Sequence, residues 1–369
     1  MKKKNIICAL ICFLFISCNE THTEWVDIKS CTYFNDNSFD KTCHLQSMLF
    51  DSLIIQNPVR IALNDTILFS VNPSYGSDSL VHCFSTQDHN YLGAMAIRGN
   101  GPEEFLSVSN ISFSSDSNDF WIYDVTKQTW SGKPMHSLRD DASNKERYKT
   151  LNLRNTQIKG LTNPFWIGDT FVANSLFKYK ERFFIFDSTG IQVKAIINPN
   201  LDFTQTGNEG VLADIFSTHL AITPNQKDIV LAGRYLDLLE IYDLNGNLQI
   251  MLKGPEKGFD LRFDKKRSDE NSTLVKSPDT KRSYLAVKAT DDKIYALYSG
   301  KTKKDKEHYS YSKVIYTFTN AGKPLTKYIL DTPISDFVIN KQQNKIYAIS
   351  IDSEIVFFDL KNTSDNVDI

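Results

Sequence analysis

The sequence lacks the patterns that announce a reaction. No HExxH, GxSxG or P-loop pattern occurs in its 369 residues, and His22, His44, His82, His89, His136, His219 and His308 show no metal-ligand spacing. There is no CxxC and no cysteine/histidine cluster, so zinc finds no support and no cofactor is expected. Charge of one sign is missing too. Lysines and arginines number 42 against 44 acids, a formal net charge of -2, which removes the global field that draws a chain to nucleic acid. Past the N-terminus no apolar run reaches the roughly 18 residues that a membrane-crossing helix needs. Carboxylates are plentiful, but no pattern among them singles out a glycosidase-type pair.

What is present begins with an address. Lys2, Lys3 and Lys4 form a positive start and Asn5 to Ile16 an apolar run too short to span a bilayer, the signature of a signal peptide over residues 1–17. The run ends in Phe15-Ile16-Ser17-Cys18, which resembles the lipobox of bacterial lipoproteins. That resemblance implies cleavage before Cys18 and its diacylation. It makes the protein an exported lipoprotein of the cell envelope, held at the outer membrane by its lipid and facing the periplasm or the surface. The alternative is an ordinary secretory signal. A polar stretch from Asn19 to Asp40 follows, so residues 18–44 are expected to be a tether.

Cys8 and Cys12 leave with the signal and Cys18 carries lipid, leaving Cys31, Cys43 and Cys83. Cys31 and Cys43 could close a short loop in an oxidising compartment, and the odd count leaves at least one free thiol. Cys83 lies in an apolar strand pattern and reads as a small buried hydrophobe.

From residue 45 the chain alternates with period two, rich in Ile, Val, Tyr and Phe and broken by Asn, Asp, Gly and Pro, which predicts an all-β fold. A phrase of an aromatic, then Asp or Thr, then a glycine turn recurs as Phe186-Asp187-Ser188-Thr189-Gly190, Tyr242-Asp243-Leu244-Asn245-Gly246 and Phe318-Thr319-Asn320-Ala321-Gly322. First strands of four-stranded units start near Pro58, Val108, Leu161, Ile215, Ser283 and Ile334, an interval of about fifty residues that belongs to propeller blades. The last unit is one strand short, and an orphan strand at Leu45 to Gln56 precedes the first. A ring closed by that N-terminal strand would protect both edges. The propeller is thus placed at 45–360 and a polar tail at 361–369.

With Arg98-Gly99-Asn100-Gly101-Pro102-Glu103-Glu104-Phe105 after the first blade, echoed at Lys253 to Phe259, the chain resembles the TolB-like six-bladed β-propeller lipoproteins of Bacteroidetes. The resemblance implies fold and address and names no catalytic residue.

In such a blade the loops between second and third strands share one end of the ring with the loops between blades. The length collects there, at 98–106, 197–212, 254–282 and 300–311, and long loops on a rigid scaffold are where binding usually sits. The candidate binding face is therefore Arg98, Asn100, Glu103 and Glu104 with a basic rim of Arg262, Lys265, Lys266, Arg267, Lys303 and Lys304. For the first group the competing reading is a latch between blades, with Phe105 packed inward and one glutamate capping backbone donors. For the rim it is a solvated surface. The function expected is a non-catalytic binding or scaffold module whose partner is an envelope protein or an acidic glycan, not nucleic acid. The alternative is an envelope hydrolase or lyase with its site at the channel mouth.

Overall fold

The computed structural model describes residues 25–50, 57–73, 78–114, 116, 118–138, 147–204, 209–256, 261 and 276–361. Cys18, the signal peptide, the basic residues 262–267 and the tail beyond 361 lie outside them.

The fold is a β-propeller of six four-stranded antiparallel units. Blade 1 runs Arg60–Asn64, Ile67–Val71, Ser79–Ser85 and Tyr91–Ile97, from the channel outwards. The inner strands of blades 2, 3 and 4 are Asn110–Phe113, Leu161–Ile167 and Thr218–Ile222. Blade 5 starts with Tyr284–Ala289, and its outer strand runs directly into the inner strand of blade 6 as the single stretch Pro324–Asn340. The stretch divides where its register shifts, residues up to Ile329 pairing with Ser312–Thr319 and residues from Ile334 with Lys345–Ser350. The last blade is completed by Ser47–Leu49, antiparallel to Ile355–Asp359, which closes the ring with a strand from the N-terminus as expected.

Second strands are almost wholly buried, Ile67–Val71 at every position, because each lies between two neighbouring blades and both faces are covered. The outer strand Gln192–Ile197 has only one neighbour and is mostly exposed. Each repeated glycine phrase makes the outermost hairpin of its blade. Asp187 Oδ1 accepts the N–H of Thr189 at 2.9 Å and of Ile191 at 3.0 Å, and Gly190 takes φ of +91°, where a side chain would be strained. Asp243 accepts Asn247 N–H at 2.8 Å in the same way, with Gly246 at +80°. The aromatic before each turn, Phe186, Tyr242 or Phe318, is fully buried between blades.

Six apolar clusters fill the six seams between blades. The sixth joins Tyr347 and Phe357 of blade 6 to Leu68 and Phe84 of blade 1 through Phe50, so closure is a matter of packing as well as of backbone pairing. In the seam between blades 2 and 3, Trp130 stacks on Trp166 with centroids 4.7 Å apart and touches Trp121 at 5.0 Å.

Three expectations are corrected. Residues 25–45 are not a free tether. Thr32–Tyr33 and Lys41–Leu45 add parallel fifth strands to the outer edges of blades 4 and 5, and Val26–Ile28 pairs with Leu201–Phe203. The cause is apolar anchorage: Phe34 is buried in the seam between blades 4 and 5, while Trp25, Val26 and Ile28 cover the short helix Glu209–Ile215. Cys31 and Cys43 do not pair with each other, because the segment carries them to different apolar clusters. Finally, not all of the length collects at one end, since the connection between the third and fourth strands of blade 2, Thr129–Pro134 and Lys149–Asn152, is also long.

Candidate functional site: the central channel

The first strands of all six blades surround a channel with two unlike ends. At the end of the long loops is a cavity of about 210 Å³. Arg60 stands on the inner strand of blade 1, His219 on that of blade 4 and Lys288 on that of blade 5. Arg234 comes from the turn between the second and third strands of blade 4, and Arg282 from the long connection leading into blade 5. Blade topology therefore delivers five basic side chains to one mouth from three blades.

Little neutralises them. Asp336 is buried, and its carboxylate accepts Ile61 N–H at 3.2 Å and Phe337 N–H at 3.0 Å and pairs with Lys288 at 3.3 Å. Arg60, Arg234 and Arg282 form no ion pair with any described carboxylate. Arg282 donates to Ser310 Oγ at 2.9 Å and lies 5.5 Å from the centroid of the Tyr309 ring. The Nε groups of Arg234 and Arg282 and Nε2 of His219 are buried without a protein partner. Burial, then the charges of Arg234, Arg60, Arg282 and Lys288, hold the His219 imidazole well below its usual value of 6.5, so it is neutral at physiological pH. Arg234 is depressed by burial first and by Arg282 next, with Asp214 pulling the other way, yet a guanidinium stays charged. Unpaired cations in a low-dielectric recess are unfavourable for the protein alone and attractive to an anion.

At the other end, among the short turns, the channel widens to about 590 Å³. Its wall takes a partly exposed apolar side chain from each of five blades, Leu63, Phe113, Trp166, Ile222 and Ile339, with Ser112 Oγ and Trp166 Nε1 unpartnered among them. The two cavities share Arg60, Asn110, Phe165, Lys288 and Asp336, so they meet midway.

The residues singled out from sequence fall elsewhere. Glu104 folds back on its own turn, accepting Gly101 N–H at 2.7 Å, and a Cβ on Gly99 would stand 2.0 Å from its Oε2. Lys127 Nζ clamps the carbonyls of Gly101 and Glu104 at 2.9 and 2.6 Å, and Glu103 accepts Tyr148 N–H at 3.2 Å. Arg98 donates to Pro73 O at 2.9 Å, Asn100 is exposed, and Phe105 is buried in the seam between blades 1 and 2. That geometry is a latch. Lys303 and Lys304 are exposed on the 300–311 loop beside the charged mouth, Lys304 paired with Asp279. Sequence reasoning missed Arg60, His219, Arg234, Arg282 and Lys288. The one available signal was a charge inside an otherwise apolar inner strand, as at Val287-Lys288-Ala289.

Comparison with known proteins agrees with this architecture. No curated protein matches the chain. A protein of Bacteroides fragilis NCTC 9343 described as exported shares the fold at a TM-score of 0.56 and 12% identity, covering 89% of this chain and 98% of its own. U3-55K and the WD40 repeats of RRP9 follow at 0.49 and 0.48, each 9% identical over 85% of this chain and 98% and 97% of their own. The family model for TolB-like 6-blade propeller-like proteins matches residues 37–342, and the chain belongs to that family.

Proposed function

We propose that the protein is a lipid-anchored binding module of the cell envelope that takes an anionic ligand at the long-loop mouth of its channel. The observation that carries this is the set of three guanidinium groups, Arg60, Arg234 and Arg282, gathered at one recess with no carboxylate partner among the described residues. A hydrolytic site on this scaffold would call for carboxylates or metal ligands converging from several blades. Here the converging groups are cations, and the one carboxylate among them, Asp336, is engaged by Lys288 and two backbone amides. Cations bind and orient an anion without having to transform it. The exposed Lys303 on the same end adds a long-range pull that salt weakens, while Lys304 is neutralised by Asp279.

The site is tested by thermal melts in sulfate and in chloride at matched ionic strength, for wild type and for Arg234→Gln and Arg282→Gln. Sulfate also stabilises proteins in general, so the difference between wild type and variants is the readout. An equal sulfate increment in all three proteins would remove the site. The address is tested by Cys18→Ser, which should release the protein from the membrane fraction or block its maturation; unchanged partitioning would remove the anchor.

A further inference from the structure

We infer that the ligand is an amphipathic anion, an acidic head on an apolar body, which threads the channel with its head at the arginine mouth and its body in the wide chamber. This rests on the anion reading above and adds to it what lies behind the head.

The two halves of the channel differ in the sense such a molecule requires. The narrow mouth is lined by Arg234, Arg282 and the neutral His219, whose Nε and Nε2 groups are buried without a protein partner among the described residues. Behind it the chamber presents Leu63, Phe113, Trp166, Ile222 and Ile339, each already packed against its own seam on one side and partly exposed to the channel on the other. Apolar side chains held at the edge of a rigid core cannot collapse to bury themselves, because the blades on either side fix the strands that carry them. Their remaining exposed surface is buried only when something apolar enters. A volume of about 590 Å³ is in the range of small-molecule sites, which are mostly apolar with a few placed polar groups. Arg60 and Lys288, in the wall of both cavities, stand where head and body would join. The chamber also carries polar groups, Asp65, Asp291 and Lys341 among them near its short-turn rim, but a fully polar anion such as a phosphate would leave its five apolar side chains uncovered. A neutral lipid would leave the arginines unpaired.

The test is calorimetric titration of the whole mature chain with acetate, hexanoate and decanoate at constant ionic strength, and with hexanol and decanol as neutral counterparts. Affinity should climb steeply through the acids, approaching about fourfold per added methylene, and each alcohol should bind at least about tenfold more weakly than its acid, since a charge-assisted hydrogen bond is worth more than a neutral one. Arg234→Gln should weaken every acid. Leu63→Ser and Ile339→Ser, two variants so that misfolding of one is not decisive, should flatten the dependence on chain length. Acids that bind equally whatever their length would overturn the threading inference and leave the anion site standing. Alcohols binding as well as acids would overturn the anion site itself, and no binding by any probe would overturn both.

Discussion

The two ends of the channel are built from the same six strands, yet they solve opposite problems. At the short-turn end the inner strands carry apolar residues that continue the seams between blades, so that end adds to the cohesion of the ring. At the long-loop end the same strands carry Arg60, His219 and Lys288, and the adjoining loops add Arg234 and Arg282. Those groups oppose one another in the protein alone. A propeller can hold them because its seams, not its axis, supply the packing. Charge gathered where stability gains nothing from it is what the proposed anion site rests on.

The contrast can be broken or sharpened by substitutions of opposite sign, and the largest effect lies in the seam behind the apolar wall. Trp130 is fully buried, stacked on the wall residue Trp166 and tilted against Trp121, so Trp130→Ala should lower unfolding free energy by about 3–5 kcal/mol. Denaturant titration reads this, and a loss under about 1 kcal/mol would mean the seams are not where cohesion resides. Next comes Gly132→Ala, whose new Cβ would stand 2.4 Å from the Trp121 ring; overpacking of this kind costs about 1–3 kcal/mol and should appear as a lower melting temperature.

The charged mouth should respond to pH. His219 is depressed in the folded protein and ordinary in the unfolded chain, so below pH 6.5 the unfolded state binds the extra proton and stability falls as pH falls. The slope from this group is at most about 1.4 kcal/mol per pH unit. His219→Gln should flatten the stability profile in that window relative to wild type; parallel profiles would show that the imidazole is not held neutral by its four cationic neighbours. Smallest and opposite in sign, Arg234→Met should raise the stability of the ligand-free protein by up to about 1 kcal/mol, by removing an unpaired charge from the recess. If Arg234→Met destabilises instead, the arginine is a structural strut and the two ends are less different than they look.

The blade phrases were readable because each is local. Aspartate, left-handed glycine and a preceding aromatic sit within a few residues of one another, and their hydrogen bonds close within the turn. The missing fourth strand of the last blade was readable by the same logic, since an unpaired edge must be covered. Arg98 to Phe105 was visible as a motif, but whether Glu104 turned outward to a ligand or inward to Gly101 depended on Lys127 in the next blade, which clamps the turn from the far side. Residues 25–45 looked polar enough to be a tether because their anchors, Trp25, Phe34 and Cys43, are spaced too widely to form a pattern; each finds a different cluster.

The sequence by itself determined the repeat, the strand class and the closure of the ring, because all of these follow from periodicity and from the alternating geometry of hairpins. Only the tertiary structure decided the site. Arg60, His219, Arg234, Arg282 and Lys288 are scattered over more than two hundred residues, and each alone is an ordinary charge beside a strand. Closing the ring brings the first strands of all the blades around one axis, and charges that were remote along the chain then share one poorly solvated recess.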